Sequence, residues 1–264
     1  MRRLFGLLVA TAVILIASAC EPIPSGRPGP DNTGPLNSCN RTISSTVAAN
    51  ELKVGNVSDV CINGPLTLTS AMNGHKLSNF TLNGGGSAYG VRADASGLLG
   101  ITFEDGKIYN MKSTGIYGGG WTARRLEVTE SGGDAFKPRN NTRIEASWGH
   151  HNGATPGSHA DFVQFDGPDG MTTSNVTIVG NYCEQPASQR NETSPIWGTK
   201  YNTNACIQIN DLITLVNVRA TDNWMVGGNF TLNCDPPGEN QIVLSGNTYL
   251  PGSTYGNATG CPAK

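Results

Sequence analysis

Residues 79–93, NFTLNGGGSAYGVRA, hold two short apolar alternations separated by a glycine-rich turn. In the first, Phe80 and Leu82 flank a threonine and the run closes on Asn-Gly-Gly; in the second, Val91 is the centre of YGVRA. Period-two alternation over so few residues, bounded by Gly and Asn, is a strand signal. Both forms recur. The first returns as GITFEDG (100–106), RLEVTES (125–131), RIEASWG (143–149), NVTIVGN (175–181), NVRATDN (217–223) and QIVLSGN (241–247). The second returns as TGIYG (114–118), DAFKP (134–138), DFVQF (161–165), ACIQI (205–209) and NFTLN (229–233). The two kinds alternate strictly, each at intervals of roughly 20 residues except where an insertion intervenes.

A two-strand unit repeating at this interval predicts an all-β, single-domain right-handed parallel β-helix over residues 36–264, with disulfide-stapled ends. Corresponding strands of successive coils would stack about 4.8 Å apart. No coil can bury its inward side chains alone, and stacking makes one continuous core. An antiparallel sandwich also uses many short strands, but it does not require two strand types in fixed alternation.

The composition agrees: 34 glycines and 14% charged residues suit short strands and turns. With 18 Lys and Arg against 20 Asp and Glu and no basic block, nothing invites nucleic acid or an anionic membrane surface. The chain opens MRRLFGLLVATAVILIASAC. Arg2 and Arg3 precede an uncharged apolar run that is short for a membrane span and ends in small residues, so residues 1–19 read as an export signal. The junction IASAC resembles the lipobox of bacterial lipoproteins, which makes Cys20 a lipidation site and the only membrane attachment. Ala17-Ser18-Ala19 also fits ordinary signal cleavage and release, and RRLF loosely fits twin-arginine export. Residues 20–35 read as the anchor cysteine and a Pro/Gly-rich tether.

Seven cysteines leave six once Cys20 is set aside. Up to three disulfides then require an oxidising, extracytoplasmic compartment. Among the connectivities open to six cysteines, proximity along the chain favours Cys39–Cys61 at the first cap and Cys234–Cys261 at the last. Cys183–Cys206 would close the longest insertion, residues 184–204.

Aligning the second kind of strand stacks Tyr89, Thr114, Asp134, Asp161, Ala205 and Asn229 in one column. Val91, Ile116, Phe136, Val163, Ile207 and Thr231 form an inward column. Arg92, Tyr117, Lys137, Gln164, Gln208 and Leu232 then point outward by strand alternation. Asp134 and Asp161 fall on adjacent coils, with Lys137 and Gln164 beside them on the same surface. Two carboxylates at such spacing need a shared proton, cation or substrate group. His159, two residues before Asp161, and His150–His151 join them from the preceding turn. A purely structural role stands beside this one, since Asp and Asn favour tight turns and Gln ladders stabilise stacked strands.

In their order along the chain, PGPDNTG, GGDAFKP, PGSHADFVQF, NACIQI and GGNFTLN resemble a family of secreted bacterial right-handed β-helix proteins grouped with pectate-lyase-like proteins. Where that family carries His-x-Asp-Gly-Ile-Gln, this chain has His159-Ala160-Asp161-Phe162-Val163-Gln164, and Phe162 in place of Gly would narrow the groove. The likeness covers most of residues 28–250 and implies fold more firmly than chemistry. A more distant likeness to polygalacturonase-type hydrolases lacks their paired second Asp and their Gly-His-Gly and Arg-Ile-Lys strands.

The expected partner is a polysaccharide or cell-wall glycan, met by a monomer. A lyase on an acidic glycan needs a base, either Lys137 or His159, and a cation for the charge that develops. Arg139, or Ca2+ held by Asp134 and Asp161, would supply the cation. A hydrolase would use Asp134 and Asp161 as its paired carboxylates. Gln164, Gln208, Trp148 and Trp197 are the expected substrate-binding residues. A non-catalytic surface protein would bind glycan through Trp148, Trp197, Tyr182 and Tyr201.

Overall fold

The structure is a computed structural model that describes residues 26–210, 213–234 and 242–252. It is an all-β parallel β-helix. Each full coil carries three walls. The first includes Trp121–Arg124, Thr142–Glu145, Met171–Val179, Ile213–Thr221 and Ile242–Ser245. The second includes Glu127–Thr129, Trp148–His150, Tyr182–Gln185 and Trp224–Gly227. The third runs from Leu66–Thr67 through Tyr89–Ala93, Thr114–Gly118, Phe136–Pro138, Ala160–Phe165 and Thr203–Ile209 to Phe230–Cys234.

The expected two-strand coil is therefore one strand short. In the early coils, Val57–Asn63, Lys76–Asn83 and Ile101–Tyr109 run unbroken through the first two walls. From Trp121 onward the strand divides at a bend. One residue per coil takes the left-handed conformation there: Asp59, Asn79, Asp105, Arg125, Ala146, Gly180, Asp222 and Gly246, with φ between 46° and 65°. RLEVTES thus belongs partly to the second wall, and Ile144 stacks on Ile178 rather than on Val176. On the third wall Ile207 pairs with Leu232 and Gln208 with Asn233, one residue away from the expected alignment of the last coil.

Inward side chains of all three walls form one core, including Phe80, Phe103, Trp121, Phe136 and Phe165, all fully buried. At about 1.5–3 kcal/mol for each large apolar side chain removed from water, this stack is the main source of stability. Helix Ser45–Leu52 covers the N-terminal end, capped by Ser44 and burying Ala48 and Leu52. No helix among the described residues is long and apolar enough to cross a membrane.

Two of the expected disulfides are present, Cys39–Cys61 and Cys183–Cys206, as befits an oxidising compartment. The third expectation, Cys234–Cys261, depends on Cys261, which like the signal and Cys20 lies outside the described residues.

The Pro/Gly-rich lead-in is not an unpacked tether over its described part. Arg27 lies over the Tyr182 ring at 4.5 Å, and Pro28 and Gly34 are buried. The segment then climbs the column of left-handed bends. Gly34 N donates to Arg125 O (2.9 Å), Asn37 N to Asn79 Oδ1 (3.0 Å) and Asn40 N to Asp59 O (2.8 Å). Backbone and side-chain acceptors at the bends thus gain donors from outside the coil.

Candidate functional site

The third wall and the loops that enter it enclose a polar groove of about 450 Å3. Asp134, Lys137, Gln164 and Asp166 come from the wall side, while His159 and Lys112 come from the loops. The register Phe136↔Val163 puts Asp134 next to Asp161 and Lys137 next to Gln164 on successive coils, as the spacing predicts.

The two aspartates do not share an open surface. Asp134 is 4% exposed and Asp161 fully buried. Each uses one oxygen to hold the next coil: Asp134 Oδ1 accepts from Asp161 N (2.8 Å), and Asp161 Oδ1 accepts from Ala205 N (2.7 Å) and Asn204 Nδ2 (3.1 Å). Asp161 Oδ2 is buried without a hydrogen-bond partner. Burial, and then the neighbouring Asp134 charge, push Asp161 well above the ordinary carboxylate range. Burial also raises Asp134, against the pull of Lys137.

Lys137 is the charged centre of the groove. Its Nζ lies 3.2 Å from Asp134 Oδ2 and 3.6 Å from Asp166 Oδ2. Burial acts to lower its pKa, but the attraction of Asp134 and Asp166 outweighs it and the net shift is upward, so Lys137 stays protonated. Asp166 is the more open carboxylate, with its side chain 38% exposed, and His159 is exposed on the rim.

The donor chemistry does not suit the expected Ca2+. The Asp161 oxygens are buried, one of them committed to the next coil, and a lysine ammonium sits against Asp134 where a cation would bind. Among the described residues no group of three or more His, Cys, Asp or Glu side chains is placed to hold a metal ion.

The remaining expected residues are dispersed. Gln208 stacks on Gln164, and its Oε1 accepts from Asn204 and Asn233 Nδ2. Arg139 lies over Tyr117, its Nη2 donating to Tyr117 Oη at 3.3 Å. Trp148 stands on the second wall, stacked on His150 at 3.8 Å, with its indole donating to Glu184. Trp197 belongs to the insertion and donates to Glu130 O. Tyr182 lies under Arg27, and Tyr201 Oη bonds Glu130.

His150 and His151 do not accompany His159. They end a second-wall strand and border a different groove. Phe162 does not narrow the polar groove either. Its ring is buried in the core, edge-on to Phe136 and over Gly149, where a Cβ would come within 2.2 Å of it. Sequence reasoning missed Asp166, although DFVQFD places it two residues beyond outward Gln164, on the same side by alternation.

No protein-family model, curated protein or solved structure matches the chain.

Proposed function

We propose that the protein is an extracytoplasmic enzyme that cleaves an acidic polysaccharide by β-elimination in the groove of the third wall. The observation that carries this reading is Lys137, held charged between Asp134 and Asp166 at the groove floor, with exposed His159 on the rim. A protonated lysine is no base, so the roles divide. Lys137 meets the uronate carboxylate and stabilises the charge that develops, while His159 takes the proton from the adjacent carbon. The electron pair becomes the new carbon–carbon double bond, the glycosidic bond breaks, and the departing oxygen takes a proton from solvent. Asp161, without access to solvent, positions Asp134 and through it Lys137. The resemblance of SHADFVQF and GGDAFKP to pectate-lyase-like β-helix proteins supports the same substrate class. The IASAC junction supports attachment through a lipid on Cys20.

One observation favours hydrolysis as a second reading. Oxygens of Asp134 and Asp166 that share one ammonium at 3.2 and 3.6 Å stand no more than about 7 Å apart, below the upper end of the separation used by paired-carboxylate glycosidases. A panel of acidic and neutral glycans separates the two. Elimination yields unsaturated ends that absorb in the ultraviolet, whereas hydrolysis yields reducing ends without that absorbance. For elimination, His159→Ala lowers kcat by about a hundredfold or more with binding retained. If no glycan in the panel is cleaved, the enzyme assignment fails; if His159→Ala and Lys137→Ala both turn over at the wild-type rate, the placement of the chemistry in this groove fails.

A further inference from the structure

A second groove, of about 650 Å3, lies outside the second wall beneath the insertion of residues 186–202. A chain of polar contacts runs along it. Lys107 Nζ meets Glu127 Oε1 at 2.7 Å, and His150 Nε2 meets the same oxygen at 3.1 Å. His150 Nδ1 faces His151 Nδ1 at 2.7 Å, and His151 Nε2 faces Glu192 Oε2 at 3.0 Å. The last three contacts each involve a ring nitrogen, and each needs one hydrogen of its own. An ionised carboxylate has none to give, and two bare ring nitrogens repel. Two neutral imidazoles bring only one hydrogen each. Three links therefore require a pair that holds one proton more than neutrality. Burial lowers the affinity of His150 for a second proton.

We propose that this one proton on the His150–His151 pair latches the segment around Glu192 over the groove, and that its loss releases the segment and opens the groove. When the proton leaves, one link must fail, and the surroundings select which. From the second wall, Glu127 is 14% exposed, bound by Lys107 as well as His150, and Glu184 is engaged by the Trp148 indole. From the insertion side, Tyr201 packs its ring on His151 at 5.0 Å and directs its hydroxyl to Glu130. Gln189 accepts from His151 N at 3.3 Å. Glu192 is 54% exposed, so water readily replaces its imidazole partner. The His151–Glu192 link is the one that breaks. The rest of the insertion stays anchored by Ser194 Oγ on Glu130 (2.6 Å) and by Thr199 Oγ1 on Ala154 O, and the Cys183–Cys206 bridge fixes its ends. Gln189 is buried on His151 N, and Arg190 donates to Thr203 Oγ1 and Asn229 Oδ1, so movement is confined to residues near 191–193. This inference is independent of the chemistry in the polar groove.

Amide hydrogen exchange of the full chain, corrected for intrinsic rates, tests it at about pH 5 and about pH 8. Protection of peptides spanning 188–194 should fall about tenfold from the lower to the higher pH, the effect of losing one charged hydrogen bond. Peptides of the third wall should not change. Glu192→Gln, a surface replacement, and His151→Gln should each abolish the pH difference. Equal wild-type protection at the two pH values overturns the proposal, as does a pH difference that persists in Glu192→Gln.

Discussion

Asp161 combines full burial, one oxygen committed to the next coil and one with no partner. Its position was legible from the spacing of GGDAFKP and SHADFVQF, because stacked coils put equivalent residues in register. Its burial was not. Alternation gives the direction of residues inside a strand, and Asp161 sits where the turn ends and the ladder shifts register. A carboxyl whose folded pKa is raised binds its proton more tightly in the native state. Its stabilising contribution is full below the unfolded value and is lost as pH rises through the folded one. Asp161→Asn keeps the Oδ1 acceptor and removes the titration. Its melting temperature relative to wild type should therefore be higher at about pH 8 than at about pH 4. An equal difference at the two pH values would show that Asp161 is not the titrating group.

The bend between the first two walls depends on a ladder of asparagines. Ser147 N donates to Asn181 Oδ1, Asn181 N to Asn223 Oδ1 and Asn223 N to Asn247 Oδ1, each near 2.9–3.0 Å. Asn223 Nδ2 also donates to Ile178 O and Asn247 Oδ1. Asn223→Ala leaves several buried groups unpaired at about 1–3 kcal/mol each. Denaturant unfolding should register a loss of about 3–5 kcal/mol, whereas exposed Asn217→Ala, which puts an alanine at φ 53°, should cost about 1–2 kcal/mol. The ladder's residues were visible as the closing Asn of NVTIVGN, NVRATDN and QIVLSGN. The bend itself was hidden farther up the stack. Arg125 and Ala146 hold the left-handed conformation there, and neither residue type signals it, since for both it costs about 1–2 kcal/mol. That silence is why two walls read as one strand.

Across the molecule, the Cys183–Cys206 bridge ties the second wall to the third and closes the insertion. Replacing both cysteines by alanine should cost about 3 kcal/mol, the loop-closure entropy for a span of this length. A calorimetric loss well under 1 kcal/mol would mean that the unfolded chain is already constrained there. The docked lead-in and the insertion flank the second wall from two sides; His150–His151 lie at that wall, whereas His159, only eight positions further along the chain, lies in the turn that enters the third. The repeat of apolar alternations was enough to dictate the stacked parallel coils and the neighbouring placement of Asp134, Asp161, Lys137 and Gln164. Register between coils follows from matching inward side chains, and that match is local in the sequence. The depth of each carboxylate, the path of the lead-in and the division of the histidines between two grooves were settled only by the folded chain. They depend on which non-repeating segment covers which wall, and no periodicity encodes that.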